Sequence, residues 1–140
     1  MKPVVIARRE FDVTVLALRS ESRPGRWVAY GVETGNLVQG DTMAEVLDLA
    51  PTTISEFIED ALNEGADPLN HGCAADIRAI VAEVRANGVP VIFPRGNPRA
   101  LDEERIERLV LPLRLGFERH QVFSSSGGEM YFDERLAAAR

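Results

Sequence analysis

The sequence predicts an α+β fold: an antiparallel three-stranded meander plus a long helix, followed by a helix–strand–helix–hairpin region. Three observations predict it. Short runs rich in β-branched residues alternate with tight-turn residues over the first forty positions. A helix-start signature then opens a long apolar stripe of helical period. After a polar stretch bearing Pro68 and Gly72, a second amphipathic segment and further short apolar runs follow.

Residues 11–19, FDVTVLALR, read as a strand, and SESRPG places Pro24-Gly25 at the centre of a type II turn. A second strand covers 26–32, with Trp27 and Ala29 on one side and Val28, Tyr30 and Val32 on the other. Glu33-Thr34-Gly35-Asn36 is a tight turn, and 37–39 a short third strand. Connections this short favour an antiparallel arrangement.

The long helix begins at a capping box, Thr42-Met43-Ala44-Glu45. The Thr42 hydroxyl is expected to accept from the amide three residues on, and Glu45 to reach back to the Thr42 amide. Apolar residues then recur at Met43, Val46, Leu47, Ala50, Ile54, Phe57, Ile58, Ala61 and Leu62, and Gly65 is a natural terminator. Pro51 interrupts the backbone bonding, but the stripe stays in phase beyond it, which predicts a kinked single helix.

The polar stretch 66–72 divides the chain into a sheet-and-helix unit at 1–66 and a second α+β region at 73–140, packed on it or beside it. In the second region a helix over 73–87 has Cys73, Ile77, Ile80, Val81 and Val84 on its inner face. VPVIF at 89–93 reads as a short buried strand and PRGNPR at 94–99 as a loop. A third helix is expected over 102–111, ending near Pro112, and 121–125 with 129–132 form a hairpin about Gly127-Gly128.

Composition narrows the function. With 140 residues and 45% hydrophobic content, the chain is long enough for one ordinary domain. The lone Cys73 allows no internal disulfide, no signal peptide is visible, and no apolar run is long enough to span a bilayer, so a cytoplasmic protein is expected. The net charge of −6 is uneven: residues 1–65 hold six basic and eleven acidic side chains, 66–140 ten and eleven. The first half repels a phosphate backbone and attracts a basic partner.

Chemistry-bearing constellations are sparse. His71 and Cys73, with Asp67, Asp76 and the distant His120, lack the repeating spacings of a metal site, so no metal or cofactor is expected. Ser124, Ser125 and Ser126 lead into the expected hairpin rather than a strand-to-helix turn, so no catalytic residue is assigned and no enzyme is expected. The second half offers a DNA-binding alternative, in which a reduced winged helix sets Arg95, Arg99, Arg105 and Arg108 against phosphates. Asp102, Glu103, Glu104 and Glu107 weaken that field.

The acidic helix carries the leading expectation. Its exposed positions hold Glu45, Asp48, Glu56, Glu59, Asp60 and Glu64, with no Lys or Arg among them. Glu56 and Asp60 lie one turn apart, and like charges at that spacing destabilise a helix slightly. Glu64 sits at the end of the helix where the dipole favours a cation. Such a face is either solvated surface that keeps the protein soluble or, because carboxylates that do nothing for their own helix are better explained by a partner, the docking face for a basic protein.

The order of two longer strands, a tight turn, a short strand and Gly40-Asp41-Thr42-Met43-Ala44-Glu45 opening an acidic helix has a known counterpart. Residues 11–65 resemble the N-terminal domain of HicB-type antitoxins of bacterial toxin–antitoxin systems. The resemblance implies a partial ribonuclease-H-like fold that binds protein and is not catalytic. It also implies neutralisation of a small basic, RNA-cleaving toxin of the HicA type, and assembly into dimers or higher oligomers. An immunity or accessory protein of another toxin system shares the same physics. Residues 66–140 match neither the helix-turn-helix nor the ribbon-helix-helix module with which such proteins usually end, so operator binding is not implied.

Overall fold

A computed structural model describes residues 9–69, 72, 74–93, 102–118, 121–125 and 128–134. Seven antiparallel strands form one sheet: β1 (Arg9–Arg19), β2 (Trp27–Gly31), β3 (Leu37–Gly40), β4 (Val89–Phe93), β5 (Ile106–Glu118), β6 (Gln121–Ser125) and β7 (Gly128–Glu134). The order across the sheet is β3-β2-β1-β5-β7-β4, with β6 also paired to β5. Helix α1 (Met43–Asn63) lies on one face and α2 (Ala75–Asn87) on the other.

Strand alternation makes the two faces. In β1, Val13, Val15 and Ala17 point to α1, while Leu16 and Leu18 point to α2. The α1 layer also takes Trp27 and Ala29 of β2, Leu109, Leu111, Leu113 and Leu115 of β5, and Met130 and Phe132 of β7. Against these, α1 buries Met43, Val46, Ala50, Ile54 and Ile58. Each large apolar side chain fully withdrawn from water contributes about 1.5–3 kcal/mol. The α2 layer is thinner, with Val81 and Val84 fully buried and Ile77 and Ile80 at its margin.

The turns and ends of the first half follow from local chemistry. The Arg26 amide donates to the Arg23 carbonyl and Gly25 has φ 83°, the type II geometry that Pro24-Gly25 predicts. The Glu45 amide donates to the Thr42 hydroxyl at 3.0 Å. The Glu45 carboxylate, however, accepts from the Asp41 amide at 3.2 Å, one residue earlier than the capping box anticipates. Gly40 makes room for this fold-back, since a Cβ there would lie 3.0 Å from the Glu45 carboxyl carbon. At the other end, Ala66 donates to the Ala61 carbonyl and Gly65 to Leu62, with Gly65 at φ 72°, which is a Schellman ending. Between these caps α1 continues through Pro51 as a single helix.

The second half departs from expectation at three places. Residues 102–111 are not a helix. Asp102 caps a single 3-10 turn at Glu103–Arg105, and β5 starts at once. Leu109, Leu111, Leu113 and Leu115 alternate with a period of two and are all buried, which is a strand pattern. Second, β6 and β7 do not form a hairpin with each other. Both pair with β5, β6 along 114–118 and β7 along 106–110, like two halves of one interrupted strand. Third, β4 is not buried but forms the far edge of the sheet, with Val89 41% exposed. Without a helix at 102–111, a reduced winged helix has no second helix to build on.

The two halves of the chain therefore share a sheet, with β1 and β5 side by side over ten paired positions from Arg9↔Phe117 to Leu18↔Arg108. A second tie runs through the 3-10 turn. The Glu103 carboxylate accepts the Met43 amide at the start of α1, and its carbonyl accepts from Arg19 at 2.8 Å. The Arg19 guanidinium also lies over the Trp27 ring, 4.7 Å from its centre.

Candidate partner-binding surface

All six carboxylates of the acidic helix, Glu45, Asp48, Glu56, Glu59, Asp60 and Glu64, are exposed. From Glu45 to Glu64 the helix advances about 28 Å, so they form a ridge rather than a point charge. Glu45 is committed to the Asp41 amide. Glu56, Glu59, Asp60 and Glu64 form no ion pair among the described residues. The last turn of α1 contains no basic residue.

Five of the nine described arginines are placed differently. Arg105 pairs with Glu134 at 2.9 Å. Arg108, half-buried, reaches Glu83 at 3.3 Å and also holds Asp133. Burial pulls the Arg108 guanidinium down, but its hydrogen bonds to Glu83 and Asp133 outweigh this and hold its pKa above the ordinary value. Arg114 donates to Asp12 across the β1–β5 ladder at 2.8 Å, with Glu10 at 3.8 Å. Arg19 meets Glu107 at 3.7 Å and Arg26 meets Asp41 at 3.4 Å. Two of the four arginines of the DNA-binding alternative are thus tied to the protein's own carboxylates. The other two, Arg95 and Arg99, lie outside the described residues, as do His71, Cys73 and His120.

Among the described residues, no three His, Cys, Asp or Glu side chains are grouped to hold a metal ion. Ser124 and Ser125 lie within β6, along a strand and not on a turn. Among the described residues, no helix is long and apolar enough to cross a membrane.

Two features escape a reading of the sequence because they depend on the sheet order. One is the open edge at β3, where Leu37 is 49% exposed. The other is a groove of about 580 Å³ on the α2 side, apolar where Leu18, Val28, Tyr30, Leu37, Ile77 and Ile80 line it and polar where Glu21, Arg23, Arg26 and Asp76 do. It exists because α2 packs over β5 and β7 and leaves the outer part of β2 and β3 uncovered.

Compared with known proteins, the chain matches no family model, no curated protein and no solved structure.

Proposed function

We propose that this protein is an antitoxin-like protein-binding module that captures a small basic partner on the outer face of α1. The partner implied by the HicB-type resemblance of residues 11–65 is a cytoplasmic, RNA-cleaving toxin of the HicA type, masked when its cationic surface is covered. The observation that carries this reading is the contrast in charge use. Glu56, Glu59, Asp60 and Glu64 stay exposed and without ion pairs among the described residues, while Arg19, Arg26, Arg105, Arg108 and Arg114 are all engaged. A ridge of one sign steers an oppositely charged protein and raises its association rate by roughly 10- to 1000-fold at low salt.

The test is co-expression with the product of a small basic reading frame adjacent to the gene, followed by purification of the pair. The two proteins are expected to purify together and to separate as salt rises. A triple variant, Glu56→Lys, Glu59→Lys and Asp60→Lys, is expected to lose the partner while keeping its fold. Full retention of the partner by the triple variant overturns the reading, and so does the lack of any association with the basic protein.

A further inference from the structure

Among the described residues, strand β3 is bonded to β2 and to no other strand. The Gly31 amide donates to the Asn36 carbonyl at 2.9 Å, which sets the phase of the β2–β3 ladder. Antiparallel alternation then turns the backbone groups of Val38 and Gly40 toward β2 and those of Leu37 and Gln39 outward. Two donors and two acceptors therefore line the open edge on exposed residues. Edges of this kind are normally blunted by proline, lysine or a bulge. Strand β4, at the opposite edge, carries Pro90, whereas β3 reads LVQG and has none of these devices.

The two sides of this edge differ in chemistry. Val38 shares the α1 side with Ala29, while Leu37 and Gln39 share the α2 side with Tyr30 and Val28. On α1, Leu49, Thr53, Glu56 and Asp60 fall at i, i+4, i+7 and i+11, one row of the helix. Thr53 of that row lines a small crevice with Leu37 and Val38, and Glu56 follows it one turn farther along α1. On the α2 side the edge borders the groove floored by Leu18, Val28, Tyr30 and Leu37.

We propose that β3 accepts one extended segment of a basic protein as an added strand. Lysine or arginine side chains of that segment lie toward the carboxylates of α1, and the alternating apolar side chains lie toward the apolar part of the groove at Val28, Tyr30 and Leu37, clear of Arg23 and Arg26. The main chain supplies the pairing and the alternation supplies the selectivity. The inference rests on the reading that α1 binds a basic partner, and adds where and in what conformation the partner's chain lies. A second copy of this protein is a poor occupant, because two-fold pairing of β3 edges sets two acidic ridges side by side.

The probe is an octapeptide of alternating lysine and valine, titrated into the isotope-labelled full chain and followed by amide NMR. The Leu37 and Gln39 amides are expected to shift and to gain protection from hydrogen exchange. Gln39→Pro removes an outward donor and no bond to β2, and Leu37→Lys places a repelling charge on the edge. Each is expected to weaken peptide binding about tenfold, with the fold checked by circular dichroism. If shifts fall on residues 56–64 alone, or both folded variants bind like the parent, the added strand is overturned while the acidic-face reading survives. If neither β3 nor α1 responds to the peptide, both are overturned. Dimerisation through β3 without peptide, seen by sedimentation, also overturns the proposal. Should Gln39→Pro fail to fold, Leu37→Lys and the parent's amide shifts decide.

Discussion

Thr14 stands opposite Pro112 in the ladder that joins β1 to β5, and neither directs a backbone hydrogen bond at the other. The Thr14 amide donates to the Glu33 carboxylate at 2.7 Å and its carbonyl accepts from Val32 at 2.9 Å, both toward β2. Pro112 is therefore turned away from β1, toward the edge of β5 that β6 and β7 share. Among the described residues, no pair joins β5 to β6 or β7 between Val110↔Tyr131 and Arg114↔Ser125, so the ladder is interrupted there. A proline is tolerated inside a sheet where no bond is required of its nitrogen, and this gap is such a place.

That placement predicts an asymmetry between neighbours. Pro112→Ala should change stability by less than about 1 kcal/mol, because the restored amide faces an interrupted ladder. Leu113→Pro, one residue on, removes a donor from the bonded pair with Val13 and a buried side chain, and should cost about 3 kcal/mol or more. Urea denaturation of the two variants checks this, and equal losses would contradict the assigned register.

The Asp12 carboxylate titrates below its ordinary value of 3.8, chiefly because the Arg114 guanidinium donates a hydrogen bond to it; burial opposes this, and the charge of Arg114 adds to the lowering. A carboxylate lowered in the folded state stabilises the protein above its unfolded pKa, and that contribution is lost as pH falls through the folded value. Arg114→Gln should return the Asp12 titration toward 3.8, read by carbon-13 NMR of the side chain. The stability difference between parent and variant should vanish at the acid end.

The acidic ridge is predicted to weaken its own helix. Glu64→Lys places a cation where the last turn of α1 has none and should stabilise by about 0.3–1 kcal/mol. Glu56→Lys turns a repulsion with Asp60 into an attraction and should add a few tenths of a kcal/mol, roughly. Both variants should unfold at higher urea while binding the basic partner more weakly. A loss of stability in either would mean the carboxylate serves the fold.

The first half was legible because its signals are local. Thr42 with Glu45 starts α1, Gly65 ends it, and Pro24-Gly25 turns the chain, each through contacts within a few residues. The second half was misread at 102–111 because Asp102-Glu103-Glu104 imitates a helix start and Pro112 a helix end. The competing signal, Leu109, Leu111, Leu113 and Leu115 at alternate positions, was present and was outweighed. The acidic ridge was legible as a stripe of one sign. The β3 edge was not, because an edge is defined by which strands lie beside it, and the partner of β1 comes from beyond residue 100.

The pairing of β1 with β5 joins positions 90 to 108 residues apart. Once α1 has emerged from the ribosome, β1, β2 and β3 are out with the long side of β1 still bare, and the Met43 amide lacks its Glu103 carboxylate. Contacts so distant along the chain make for slow folding and a nascent half exposed to association. A protein built this way is at its stickiest before its synthesis is finished, when a waiting partner or chaperone would do the most good.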